Sequence, residues 1–107
     1  SGPMEVFGSI QNKLQEMNDF SLTVLDESCL ALFKEDYYQA EKTIKKIEEI
    51  TKYEKKIRDA SKSLKEDEEI YRVRRLAENI RRISEYASDI AEIVLNMNIE
   101  KTLKKTE

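Results

Sequence analysis

The chain reads as an all-α protein, an antiparallel up-down-up bundle of three long helices. Three features lead there. Outside its first four residues the 107-residue sequence has no proline and one glycine, Gly8, whereas sheets and long loops need such turn residues. Charged residues, mostly Lys and Glu, make up 38% of the chain. Leu, Ile and Ala fill much of the rest, which is the composition of long helices when the apolar positions are periodic. They are periodic, with spacings of three and four running through three segments.

The first helix is expected over about 5–34. Phe7, Ile10, Leu14, Met17, Ser21, Val24, Ser28 and Ala31 make its apolar stripe, and Leu25 and Leu32 widen it. The second is expected as one helix over about 37–62, on the line Ala40, Ile44, Ile47, Ile50 and Ile57. The third, over about 67–98, is the most regular. Ile70, Val73, Ala77, Ile80, Ser84, Ala87, Ala91 and Val94 hold a heptad, and Leu76, Ile83, Ile90 and Met97 follow beside it at seven-residue steps. Between helices, Asp36 with Gln39 has the spacing of a capping box, and Ser63 with Glu66 repeats it. Links this short force neighbouring helices antiparallel. Helices of about 30 residues at ~1.5 Å per residue reach about 45 Å, so the bundle is a rod. Ser1-Gly2-Pro3-Met4 reads as a tag scar and disordered start (1–4), which leaves 5–107 as one helical bundle domain.

Composition excludes several classes of function. A net charge of −3 argues against direct nucleic-acid binding, which needs a basic excess. Histidine is absent, which removes Ser-His-Asp and Cys-His catalysis and the common zinc sites. No nucleophile–base pair is evident, so no enzyme is expected. Cys29 is the one cysteine. It can form no internal disulfide, fits a reducing cytoplasm, and reads as a small core filler. No run approaches the ~18 apolar residues of a membrane span.

The candidate sites lie on the third segment. Glu78, Glu85, Asp89 and Glu92 are spaced by seven, four and three, so they form one stripe beside the core face. Arg74 is expected to pair with Glu78 and Arg81 with Glu85, and Arg82 also reaches Glu78. Below Glu85 no base interleaves, leaving an acidic patch. That patch is either a hard-cation site of Glu85, Asp89 and Glu92, a docking surface for a basic partner, or a solvated flank. Glu54 interrupts the apolar line of segment two and needs a partner or water there. Small residues at many core positions make the stripes wide, and a symmetric dimer is the simplest way to bury the remainder.

The stretches LFKEDYYQAEKTI (32–44) and RRISEYASDIAEIVLN (81–96), with the order of long helices, resemble the PhoU family of phosphate-uptake regulators. The likeness is closest to archaeal members and covers about residues 10–99. The resemblance implies a three-helix repeat unit, often present in two copies and in some archaeal members joined to an AbrB-type DNA-binding domain. It also implies a non-enzymatic, cytoplasmic regulator or signalling adaptor contacting a phosphate-transporter ATPase or a sensor. Some members bind metal clusters through acidic E/D-x-x-x-D motifs, and this sequence contains Glu85-x-x-x-Asp89 one turn later than the family's motif. Asp89-Ile90-Ala91-Glu92 aligns with the N-I-A-E ending of the family's third-helix motif, and Arg81 then stands at its first acid. In the second segment Ile47-Glu48-Glu49-Ile50-Thr51 lacks both outer Asp of the family pattern. The expectation is therefore a single-repeat homodimer with no membrane insertion. Divalent or iron cations would sit at Glu85, Asp89 and Glu92, and a partner at Arg74, Glu78, Arg81 and Arg82. The alternative is a dimerisation or scaffold bundle for an attached DNA-binding domain.

Overall fold

A computed structural model describes residues 2–106, in four helices: α1 (Pro3–Lys34), α2 (Tyr37–Ile47), α3 (Ile50–Ser61) and α4 (Asp67–Thr106). No strand occurs among the described residues. α2 and α3 continue one another, so the architecture is the expected three-rod bundle, drawn out to 66 × 19 × 17 Å. α1 and α4 run parallel, with the α2–α3 rod antiparallel to both.

Three boundaries differ from the sequence reading. The second rod is broken at Glu48–Glu49, where the N–H groups of Glu48 and Glu49 donate to the carbonyls of Lys45 (3.3 Å) and Lys46 (3.0 Å). These three-residue bonds wind the chain more tightly than an α-helix. The physical reason is the spacing of Ile44, Ile47 and Ile50. Steps of three drift off an apolar face at 3.6 residues per turn and stay on it only if the turn tightens. α4 runs to Thr106, eight residues past the expected end at 98. Its overhang has no breaker, and Lys104 and Lys105 in its last turn favour the helix dipole. Lys101 also ties it to Glu35. α1 begins at Pro3 with Gly2 as its N-cap, so the expected disordered start is corrected for Pro3 and Met4. Proline suits that first position, where its missing N–H costs nothing. Ser1 lies outside the described residues.

The link between α1 and α2 follows the sequence closely. Glu35 closes α1 in a left-handed conformation (φ 52°), and the Asp36 N–H returns to the Ala31 carbonyl at 2.9 Å. The Asp36 carboxylate then accepts from the Gln39 N–H at 3.0 Å. Half of the capping box forms; the Gln39 side chain instead donates to Thr43 Oγ1 at 2.9 Å.

The core has two parts. The middle is built from Met17, Phe20, Val24, Ile50, Ile57, Ile80 and Ala87. The α1–α2 end is built from Ala31, Ala40, Ala91 and Val94, with Tyr37, Ile44 and Leu95 packed over them. Small residues let the rods close at that end. In the middle larger side chains fill the space between the rods, and Phe20 stacks on Tyr53 at 4.8 Å between centroids. Phe20 and Thr43 are buried although the apolar stripes passed them by. Phe7 is exposed, and Cys29 is only half-buried, outside both parts of the core rather than filling one. α1 meets α4 along Ser21, Ser28, Ser84 and Ala91, all buried.

Candidate functional site

The break at Glu48–Glu49 has a structural effect further along the rod. α2 packs well on α4, whereas α3 departs from it and leaves an open groove of about 500 Å³. Its floor is apolar: Ile57 from α3, Leu64 from the link, and Ile70, Val73 and Ala77 from α4. Ile57 is buried and the other four are half-buried, so the groove is a stretch of bundle core left without a cover.

Charged side chains make its rim. Arg81 Nη1 lies 3.3 Å from Glu54 Oε2 and closes the groove toward the bundle centre. This is the partner Glu54 needed. Arg81 Nε also lies 3.4 Å from Glu85 Oε1, the in-helix pair expected from the spacing. Glu78 pairs with Arg82 at 3.6 Å. The expected Arg74–Glu78 pair does not form: a Glu preceding its base by one turn is the better orientation on a helix, and Glu78 takes Arg82. Lys62 is held by Asp59 at 3.3 Å, and Asp59 also accepts from Lys55 at 2.7 Å. The Lys55 hydrogen bond, with help from Lys62, holds the Asp59 carboxyl below its ordinary value. Two cations lining the groove, Arg58 and Arg74, make no ion pair among the described residues. The site is thus an apolar trough edged by two uncommitted guanidinium groups, which suits a ligand with an apolar face and acidic flanks.

The structure brings three of the four expected partner-binding residues, Arg74, Glu78 and Arg81, to this one groove, and Arg82 adjoins it through Glu78. Arg58 escaped the sequence reading, and so did the opening over the floor, since periodicity reads Ile57, Ile70, Val73 and Ala77 as closed core. The only signal for them was the run of isoleucines at steps of three that breaks the rod.

Glu85, Asp89 and Glu92 are all exposed on α4. Glu85 is engaged by Arg81, while Asp89 and Glu92 have no base within ion-pairing distance among the described residues. The acidic patch is real, but the three carboxylates do not converge. Among the described residues no group of three or more His, Cys, Asp or Glu side chains is placed to hold a metal ion. Carboxylates on successive turns of one helix stand about 5–6 Å apart at their Cβ atoms and point outward. No second element faces these three to complete a coordination shell. These carboxylates therefore do not fit a resident metal.

A family model described as the PhoU domain matches residues 14–94. The matched span contains the whole groove and the acidic patch, and omits the first turns of α1 and the overhang of α4. Comparison with curated proteins and with solved structures gives no match.

Proposed function

The chain belongs to the PhoU domain family, and from that premise we propose that it is a regulator or adaptor in phosphate uptake and signalling. It works by receiving an acidic, amphipathic helix of a partner protein in the α3–α4 groove. The family is one of regulators rather than enzymes. The observation that carries the proposal is the pairing of an uncovered apolar floor with Arg58 and Arg74, which have no acidic partner among the described residues. A helix laid in the groove covers Ile57, Val73 and Ala77 and presents its carboxylates to the two guanidinium groups, the helix-in-groove mode of recognition. The partner is a phosphate-transporter ATPase or a sensor protein, and the regulator acts as a homodimer in the cytoplasm. No described helix is long and apolar enough to cross a membrane, and the lone thiol of Cys29 suits a reducing compartment.

The test is capture of the purified transporter ATPase or sensor on the immobilised chain, beside an Arg58→Glu/Arg74→Glu variant and an unrelated three-helix bundle. Retention by the wild type and loss of at least tenfold in the variant is the expected result. Equal retention on all three surfaces would overturn the docking role and leave the alternative, a dimerisation or scaffold bundle for an attached DNA-binding domain. Mn²⁺ calorimetry on the wild type and a Glu85→Gln/Asp89→Asn variant is expected to show no difference in heat between them.

A further inference from the structure

α4 carries two apolar lines, and the bundle uses one. The core line is Ile80, Ala87 and Val94, all buried. On one side of it Arg81 reaches α3 and Leu95 packs toward α2. On the other side Leu76, Ile83, Ile90 and Met97 recur every seven residues, with Asn79, Tyr86 and Ile93 in the alternate positions between them. Leu76, Tyr86 and Ile93 are 48, 62 and 51% exposed, and Ile83, Ile90 and Met97 are half-buried. This is the spacing of a coiled-coil seam, and the bundle leaves it at most half-covered.

Charge runs along the same edge with a change of sign. Arg75, Arg82 and Asp89 flank the seam at seven-residue steps, basic in the upper half and acidic in the lower. All three are exposed. Arg82 has only its exposed in-helix bond to Glu78, and Asp89 has no base among the described residues. A helix that reverses its charge about its midpoint is complementary to an antiparallel copy of itself.

We infer that the outer seam of α4 is the interface of an antiparallel homodimer, α4 against α4, with its two-fold axis level with Ser84 and Glu85. In this register Ile83 packs against the partner's Tyr86 and Leu76 against the partner's Ile93. Arg82 meets the partner's Asp89, and symmetry makes the pair twice. The charges select the register. A shift of one heptad in one direction sets Asp89 against the partner's Asp89, and in the other Arg82 against the partner's Arg82. A parallel pair lays basic half on basic half and acidic on acidic. The inference rests on the homodimer named in the proposed function and specifies its surface; the groove lies on the opposite flank of α4 and stays open in the dimer.

Sedimentation equilibrium on the full chain, with circular dichroism to confirm unchanged helicity, tests it. The wild type is expected to dimerise, and Arg82→Glu and Asp89→Arg are each expected to weaken the dimer roughly tenfold, because each reversal creates two like-charge contacts. The double variant Arg82→Glu/Asp89→Arg restores the complementarity and is expected to return within about threefold of the wild type. A chain that dimerises with all variants alike, or a double variant as weak as the singles, overturns the interface and leaves the homodimer standing. A wild type that stays monomeric at millimolar concentration overturns both. Neither outcome touches Arg58 and Arg74, so the groove is judged separately by partner capture.

Discussion

On successive stretches of the bundle α4 meets α3 and α1 in opposite ways. Against α1 it presents Ser84, Ala87 and Ala91, and α1 answers with Ser21, Val24 and Ser28; all six are buried. Short side chains let the two helices approach until no space remains. Against α3 it presents Val73, Ala77 and Arg81, and the seam stays open. One charged pair, Glu54–Arg81, holds it at one end, and the rest is the groove. Small residues close a seam only where the opposing helix is held alongside. Ala77 is as small as Ala87, but α3 has turned away after Glu48–Glu49. Closure spends apolar surface on stability, and the opening keeps it for a partner.

The same substitution on the two sides tests that contrast most strongly. Ala87→Leu forces a larger side chain into a filled seam and is expected to cost about 3 kcal/mol in urea unfolding. Ala77→Leu extends into the groove and is expected to change stability by no more than ~0.5 kcal/mol while blocking partner capture. Similar costs at both positions would mean that the groove is not open in solution. The closed seam has a second signature. The buried hydroxyls of Ser21 and Ser28 have no hydrogen-bond partner among the described residues, so Ser28→Ala is expected to leave stability unchanged or raise it by up to about 1 kcal/mol. A loss of similar size would show that the hydroxyl is bonded. On the open side, Glu54→Gln removes the charge that holds Arg81 and is expected to cost about 0.5 kcal/mol by the same measurement. The smallest effect is a titration. Asp59 lies below its ordinary 3.8, so its contribution is present above that value and is lost as pH falls through the depressed one. An NMR titration of its carboxyl is expected to show a midpoint below 3.8 that rises in Lys55→Met.

The sequence carried the periodic part of the molecule. Seven-residue recurrence placed the third rod and its buried line, Ile80, Ala87 and Val94, because each position on a helix fixes its own face. Local chemistry placed the Asp36 cap for the same reason: the carboxylate and the N–H it accepts from are three residues apart. The acidic residues at 85, 89 and 92 were likewise placed on an exposed flank by spacing alone. The break at Glu48–Glu49 was harder to see, since neither residue is a helix breaker and its cause lies in isoleucines that pack against two different parts of the core, Ile44 at the α1–α2 end and Ile47 and Ile50 in the middle.

What lay beyond the sequence depends on the distance between rods. Periodicity says which face of α3 is apolar, but not how far that face stands from α4. That distance is the sum of the break, the Phe20–Tyr53 stack and the close approach of α1, contributions from different segments that meet only in the folded bundle. The groove exists because of that sum, and so does the choice of Glu78 for Arg82 and of Glu54 for Arg81, which leaves Arg58 and Arg74 without an ion pair among the described residues. A side chain's face is a local property of one helix; its neighbour is a property of the packing.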